Sequence, residues 1–170
     1  SITGEKEKID RLLPAIVKYK CAVIALVMDE RGIPDNAKTR VEIAEKLIKI
    51  LTDVGVPLKD IFIDPLVVPI GTGDKNGLIT METIRRVKEA HPEVKIVTGL
   101  SNISYGLPER KLINQVFMIL TMGCGMDAAI IDSTDKRMMA IAKTAMTLMG
   151  EDNFCSAYIH AYREGKLTFE

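Results

Sequence analysis

The sequence predicts an α/β protein with a parallel sheet, and three observations lead to this fold class. Short apolar runs alternate with amphipathic segments along nearly all of the 170 residues. These runs, of which 21–28 is the clearest, are apolar at almost every position, as in strands that are covered on both faces. A polar cluster follows each run. Strands that alternate with helices in this way form parallel sheets.

The order of the predicted elements follows from the spacing of the apolar side chains. Apolar residues three and four positions apart predict a helix, whereas a short continuous apolar run bounded by turn residues predicts a buried strand. On this basis the chain begins with a helix, and residues 1–5 form a loop and helix cap. The predicted elements are, in order, helix 5–18, strand 21–28, helix 38–53, strand 61–63, helix 78–90, strand 95–100, helix 108–122, strand 128–131, helix 135–149 and helix 156–163.

Proline and glycine account for several of the predicted boundaries. Gly55 follows the second helix and Pro92 the third, where each is a typical stop signal. Pro108 lies near the first turn of the fourth helix, a position that does not need the N–H that proline lacks. Pro14 is different, because it lies inside the first helix and predicts a kink or a later start there.

Polar clusters lie at the carboxyl ends of the predicted strands. Strand ends of this kind share one edge both in a β/α barrel and in a doubly wound sheet, so we expect the clusters to face one site. About four β/α units are readable, whereas a closed barrel has eight, and the sequence therefore reads as the second half of a barrel. The clusters are Met28-Asp29-Glu30, Asp64-Pro65, Ser101-Asn102 and Asp132-Ser133.

Composition excludes several classes of function. Lysine and arginine together number 23, as do aspartate and glutamate, so the chain lacks the basic excess that nucleic-acid-binding proteins usually carry. No apolar run approaches the roughly 18 residues that span a membrane. The three cysteines have neither metal nor redox spacing, His91 and His160 have no metal partner at a usable spacing, and the low cysteine content fits a reducing cytoplasm. We therefore predict a cytoplasmic protein without a metal site.

Four short segments, in a fixed order, resemble a known family. They are Ile63-Asp64-Pro65-Leu66, Gly99-Leu100-Ser101-Asn102-Ile103-Ser104, Leu112-Ile113-Asn114 and Met126-Asp127-Ala128-Ala129-Ile130. Over nearly its whole length the chain is similar to the C-terminal portion of the pterin-binding methyltransferases, and among them to methyltetrahydrofolate:corrinoid/iron–sulfur protein methyltransferase. The resemblance implies a (β/α)8 TIM barrel, of which residues 1–170 are the C-terminal part of a single domain with about the last four units, the N-terminal strands being missing.

The resemblance also implies an activity and a set of partners. Members of the family move a methyl group between N5 of methyltetrahydrofolate and the cobalt of a cobalamin or related corrinoid, which a partner protein carries. A homodimer is expected as well. Two alternatives stay open: a non-catalytic pterin-binding or assembly fragment that needs a complementary N-terminal half, and a relative of dihydropteroate synthase. The second of these needs a lysine for its leaving group, and none is expected beside Ser101-Asn102.

The resemblance assigns roles to six residues. It places the carboxylate of Asp64 against the amino and ring N–H groups of the pterin, and it makes Asn102 the catalytic residue, whose side chain reaches N5. At the position of Tyr105, family members commonly carry a polar amide. The other implied substrate-binding residues are Ser101, Tyr105, Arg110 and Ile130.

The residue types agree with these roles. A carboxylate accepts two neighbouring N–H groups in short, charge-assisted hydrogen bonds, and Pro65 favours an extended Asp64 that points off the strand end. An amide N–H stabilises charge that develops at N5 without itself titrating. The alternatives are an Asp-Pro turn at position 64 and a turn residue in the left-handed region at Asn102.

Overall fold

Five parallel strands form one sheet in the order in which they occur along the chain, in a computed structural model that describes residues 1–167. Each pair of neighbours is parallel, with Ile2 opposite Ala25 and Ile63 opposite Ile96, for example. The strands are β1 (Ile2–Thr3), β2 (Val23–Leu26), β3 (Ile61–Asp64), β4 (Lys95–Thr98) and β5 (Ala128–Ala129).

A helix follows each strand, which gives five β/α units. In two of the helices the residue directly before the first turn caps the helix, since Asn36 Oδ1 accepts from Thr39 N–H at 2.8 Å and Asp135 Oδ1 accepts from Met138 N–H at 3.0 Å. Such caps satisfy N–H groups that have no partner inside the helix. The helices are α1 (Lys6–Tyr19), α2 (Ala37–Asp53), α3 (Asn76–Ala90), α4 (Arg110–Gly123), α5 (Lys136–Leu148) and α6 (Ser156–Arg163).

The core lies between the sheet and the helices that cover it. Leu47 and Leu51 of α2 and Ile84 of α3 are fully buried, as are Ile61 and Ile96 on the strands. Each such side chain contributes about 1.5–3 kcal/mol by leaving water. Among residues 1–167, none of the helices has the length and hydropathy that a membrane-spanning helix requires.

The prediction that the chain begins with a helix was wrong, and so was the count of about four β/α units. Residues Ile2–Thr3 form β1, which pairs with β2, and the structure therefore contains five units. A strand of two residues is too short to show any periodicity, and only its pairing with β2 identifies it. Within the described residues no pairing joins β5 to β1, so the sheet is open in this part of the chain.

The two proline predictions had different outcomes. Helix α1 extends over Lys6–Tyr19 with Pro14 inside it, so the helix does not start late. Pro108 lies outside α4, which begins at Arg110, and the residue between them, Glu109, has a positive φ of 48°. Because helical residues have negative φ, α4 cannot begin before Arg110.

Candidate functional site

Asp64 is the last residue of β3, at the carboxyl edge of the sheet. Its Oδ1 accepts from the N–H of Leu66 at 2.9 Å, and no hydrogen bond within residues 1–167 involves Oδ2. Burial raises the pKa of Asp64 above its ordinary value, while the Leu66 N–H and the Arg40 guanidinium act in the opposite direction. The carboxylate therefore has free acceptor capacity in a partly dehydrated place.

The backbone after Asp64 is unusual. Leu66 has a φ of +58°, in the left-handed region that side chains disfavour. Arg40, from the first turn of α2, donates from Nη1 to Pro65 O and to Leu66 O, each at 2.8 Å. Residues 64–67 are called the β3 rim segment below. This segment is held in a strained conformation by its own Asp64 and by Arg40.

Sequence reasoning missed Arg40, although a signal was available. Arg40 is 1% exposed and lies on the apolar face of α2, three residues after buried Ala37 and four before buried Ala44. Positions with this spacing share one face of a helix. An arginine at such a position is rarely buried without a partner to receive its hydrogen bonds, and this predicts a polar target above the helix.

Asn102 lies in the 3₁₀ turn Leu100–Ser104, which follows β4. Its Nδ2 donates to Val67 O at 2.6 Å, so its side chain contacts the β3 rim segment. Strands β3 and β4 are neighbours, and both residues follow their carboxyl ends. The structure therefore brings Asn102 and Asp64 to the same edge of the sheet. Asp64 is the first residue of the β3 rim segment, and the Asn102 amide contacts its last residue, Val67.

Arg110 organises the far side of the 3₁₀ turn. Its Nη2 donates to Ser101 O at 2.8 Å and its Nε donates to Ser104 Oγ at 3.1 Å. The Ser104 hydroxyl in turn donates to Asn114 Oδ1 at 2.7 Å. The Arg110 guanidinium also lies 5.9 Å from the ring centroid of Tyr105, within the range of a cation–π interaction. Ser101 thus contacts Arg110 through its backbone carbonyl, and the ring of Tyr105 lies against the Arg110 guanidinium.

A cavity of about 240 Å³ lies between the 3₁₀ turn, α4 and the loop after β5. Ser101, Arg110 and Asn114 line it, and Asp64 does not. Lys111 also lines it, whereas Asn102 does not. Lys111 lies in the first turn of α4, directly after Arg110.

Ile130 follows β5 and is 63% exposed, while its N–H donates to Thr98 O at 2.8 Å. A larger cavity, of about 690 Å³, runs along β5 between α4 and α5, from Lys95 and Asp127 at the amino end of the sheet to Ile131, and none of the predicted site residues lines it. Asp127 borders this cavity, where it accepts from Ile96 N–H at 2.8 Å and pairs with Lys88 and Lys95 at 3.3 Å each. Within the described part of the chain, no cluster of three or more His, Cys, Asp or Glu side chains could hold a metal ion.

Comparison with known proteins identifies the family. The family described as pterin binding enzyme matches residues 1–132. The chain is 36% identical, over 98% of its own length, to a protein of Eubacterium limosum named methylcorrinoid:tetrahydrofolate methyltransferase, and it covers 62% of that relative. It is also 37% identical to methionine synthase of Mycobacterium tuberculosis (strain ATCC 25618 / H37Rv) over 77% of the chain and 12% of the relative. A match of this extent to the family, together with these identities, shows that the chain belongs to the pterin binding enzyme family.

Proposed function

We propose that the chain is part of a methyltransferase that moves a methyl group between N5 of methyltetrahydrofolate and the cobalt of a corrinoid protein. The observation that carries the proposal is the pairing of two groups at one edge of the sheet. One is a carboxylate with free acceptor capacity at Asp64, and the other is the Asn102 amide, which contacts the same rim segment. The name of the relative from Eubacterium limosum supports the same reaction.

Asp64 binds the pterin in this proposal. The pterin presents amino and ring N–H groups side by side, and Oδ2 of Asp64 and the remaining lone pair of Oδ1 are available to accept from them. Because the Leu66 N–H occupies the other position on Oδ1, the orientation of the carboxylate is fixed before the pterin arrives. Fixing the orientation in advance lowers the entropy that binding costs.

Asn102 acts on the reacting nitrogen. Cleavage of the bond between N5 and the methyl carbon leaves the electron pair on N5, so a hydrogen bond to N5 strengthens as the reaction proceeds. The Nδ2 of Asn102 must first leave Val67 O. Exchanging one hydrogen bond for another costs little in free energy, since the net value of such a bond is about 0.5–1.5 kcal/mol.

The corrinoid, carried by the partner protein, supplies the cobalt that accepts or donates the methyl group. A flat macrocycle needs an open rim with apolar contacts, and three apolar or aromatic side chains at the carboxyl edge fit this need. Tyr105 is 66% exposed, Ile130 63% and Ile33 49%. These three side chains would contact the corrinoid protein when it covers the rim.

We also propose that residues 1–170 form the C-terminal part of one barrel domain. The chain spans 62% of the relative from Eubacterium limosum, and the open sheet leaves strand edges available for further pairing. The expected homodimer stays a prediction, which the mass in solution would test.

Two measurements on the intact protein test the proposed function. Titration calorimetry with methyltetrahydrofolate should show binding, and the visible spectrum of reduced cobalamin should show its conversion to the methylated form when both are mixed with the protein. Binding without methyl transfer would favour the non-catalytic alternative. Absence of binding, or turnover of a pterin pyrophosphate, would refute the proposal.

A further inference from the structure

Arg40 is a charged side chain in an unusual place. It is 1% exposed, and within residues 1–167 no carboxylate lies within 4.0 Å of it. Burial lowers its pKa, and the charges of Asp35 and Asp64 oppose this effect from a greater distance. Burying a charge without an ion partner is costly. An arginine that is buried in this way needs specific acceptors for the N–H groups of its guanidinium.

The three hydrogen bonds that Arg40 donates within residues 1–167 all go to backbone carbonyls in two rim loops. Nε donates to Pro34 O, in the loop after β2, at 2.8 Å. Nη1 donates to Pro65 O and Leu66 O, in the β3 rim segment, also at 2.8 Å each. The planar guanidinium presents these donors in a fixed geometry that a lysine cannot reproduce. Arg40 thus connects the carboxyl ends of two neighbouring strands.

The contact with Leu66 has a further consequence. At a φ of +58°, Leu66 is in a conformation that its Cβ disfavours and that persists only where the surroundings impose it. Two contacts impose it: the Leu66 N–H donates to Asp64, and the Leu66 carbonyl accepts from Arg40. Without Arg40, one of these two contacts is lost and the segment is free to relax.

We propose that Arg40 is a positioning residue, which sets the β3 rim segment so that the Asp64 carboxylate faces the pterin and Val67 O receives the Asn102 amide. This inference rests on the proposed function, since Asp64 and Asn102 are the groups that it positions. The positive charge of Arg40 adds a second effect, because it favours the ionised carboxylate that pterin binding needs.

Three variants of the intact protein test this role. Arg40→Met removes the donors and the charge, whereas Arg40→Lys keeps the charge and loses the planar fork. The control is Leu51→Ala, a fully buried position at the other end of α2, which lowers stability without touching the rim. Arg40→Gln replaces Arg40→Met if the latter does not fold.

Affinity for methyltetrahydrofolate is measured by calorimetry at a temperature where all variants are folded. Arg40→Met should weaken binding about tenfold or more, Arg40→Lys should give an intermediate value, and Leu51→Ala should stay within about twofold of the wild type. Wild-type affinity in Arg40→Met, or an equal loss in Leu51→Ala, would show that Arg40 contributes to stability alone.

Two readouts do not depend on the ligand. In Arg40→Met the amide hydrogen of Leu66 should exchange faster with solvent, and the Asp64 carboxyl, followed by NMR, should titrate at higher pH than in the wild type. If the wild type binds no methyltetrahydrofolate, the proposed function fails and these two readouts still decide on Arg40. Unchanged exchange and titration would overturn its positioning role.

Discussion

Replacing Asp64 by asparagine tests the site most directly, because the change affects few atoms. The amide oxygen of Asn can keep the contact that Oδ1 now makes with the Leu66 N–H at 2.9 Å. The NH₂ group then takes the place of Oδ2, which makes no hydrogen bond within residues 1–167. The fold therefore loses no hydrogen bond, and the removed charge was partly buried. We expect the free energy of unfolding to change by less than about 1 kcal/mol.

The effect on ligand binding is large by comparison. The wild-type carboxylate offers acceptors to the N–H groups of the pterin, whereas Asp64→Asn offers a donor that opposes them. Hydrogen bonds to a charged group contribute about 1.5–3 kcal/mol each, and losing one to two of them corresponds to a loss of about 3 kcal/mol. The dissociation constant of methyltetrahydrofolate should therefore rise by about 150-fold.

Calorimetry on the variant and on one control gives the answer. Asp127→Asn makes the same chemical change at the amino end of the sheet, where Asp127 accepts from Ile96 N–H and pairs with two lysines. Its affinity for methyltetrahydrofolate should equal that of the wild type. If Asp64→Asn binds within about threefold of the wild type, Asp64 does not accept from the pterin and the reasoning fails.

Three further predictions concern the Asn102 amide, the ionisation of Asp64 and the side-chain cap on α2. Asn102→Ala should slow methyl transfer by about 10²–10³-fold in stopped-flow measurements while weakening methyltetrahydrofolate binding only a few-fold, and equal losses would argue against a role at N5. Because burial raises the pKa of Asp64, calorimetric affinity should fall as pH drops through this raised pKa, above the usual value near 3.9, and Asp64→Asn should remove that dependence. The same shift means that the folded state binds the proton more tightly, so in urea titrations this residue should make the fold more stable over the same fall in pH. Asn36→Ala should lower the free energy of unfolding by about 1 kcal/mol because it removes the cap on Thr39 N–H, and Asn36→Asp should restore the loss.

The alternation of strands and helices was predictable because strands covered on both faces leave long apolar runs. The residues at which each strand begins and ends could not be predicted. The run at 21–28 predicts eight paired residues, whereas β2 contains only Val23–Leu26. Cys21 is exposed, and Val27 is fully buried although it lies beyond the strand. Apolar content reports burial, and pairing requires a partner strand that the local sequence does not contain.

The residues of the candidate site also differed in how far the sequence alone could predict them. Asp64 and Asn102 could be chosen from the sequence because each follows a predicted strand, and parallel strands bring their carboxyl ends together. Arg40 could not be connected to them, since its acceptors are the carbonyls of Pro34, Pro65 and Leu66. Every residue carries such a carbonyl, so no side chain in those loops indicates that an arginine contacts them.

The resting contact of Asn102 bears on how the proposed reaction would be accelerated. Its Nδ2 now donates to Val67 O at 2.6 Å, and a peptide carbonyl is at least as good an acceptor as the tertiary amine N5 of the bound substrate. Moving the amide to N5 therefore gains little while the substrate is intact. As the bond to the methyl carbon breaks, charge collects on N5 and the hydrogen bond to it becomes stronger. An interaction that gains strength only at the transition state raises the rate without raising affinity, and Val67 O makes Asn102 such an interaction by competing for the amide in the ground state.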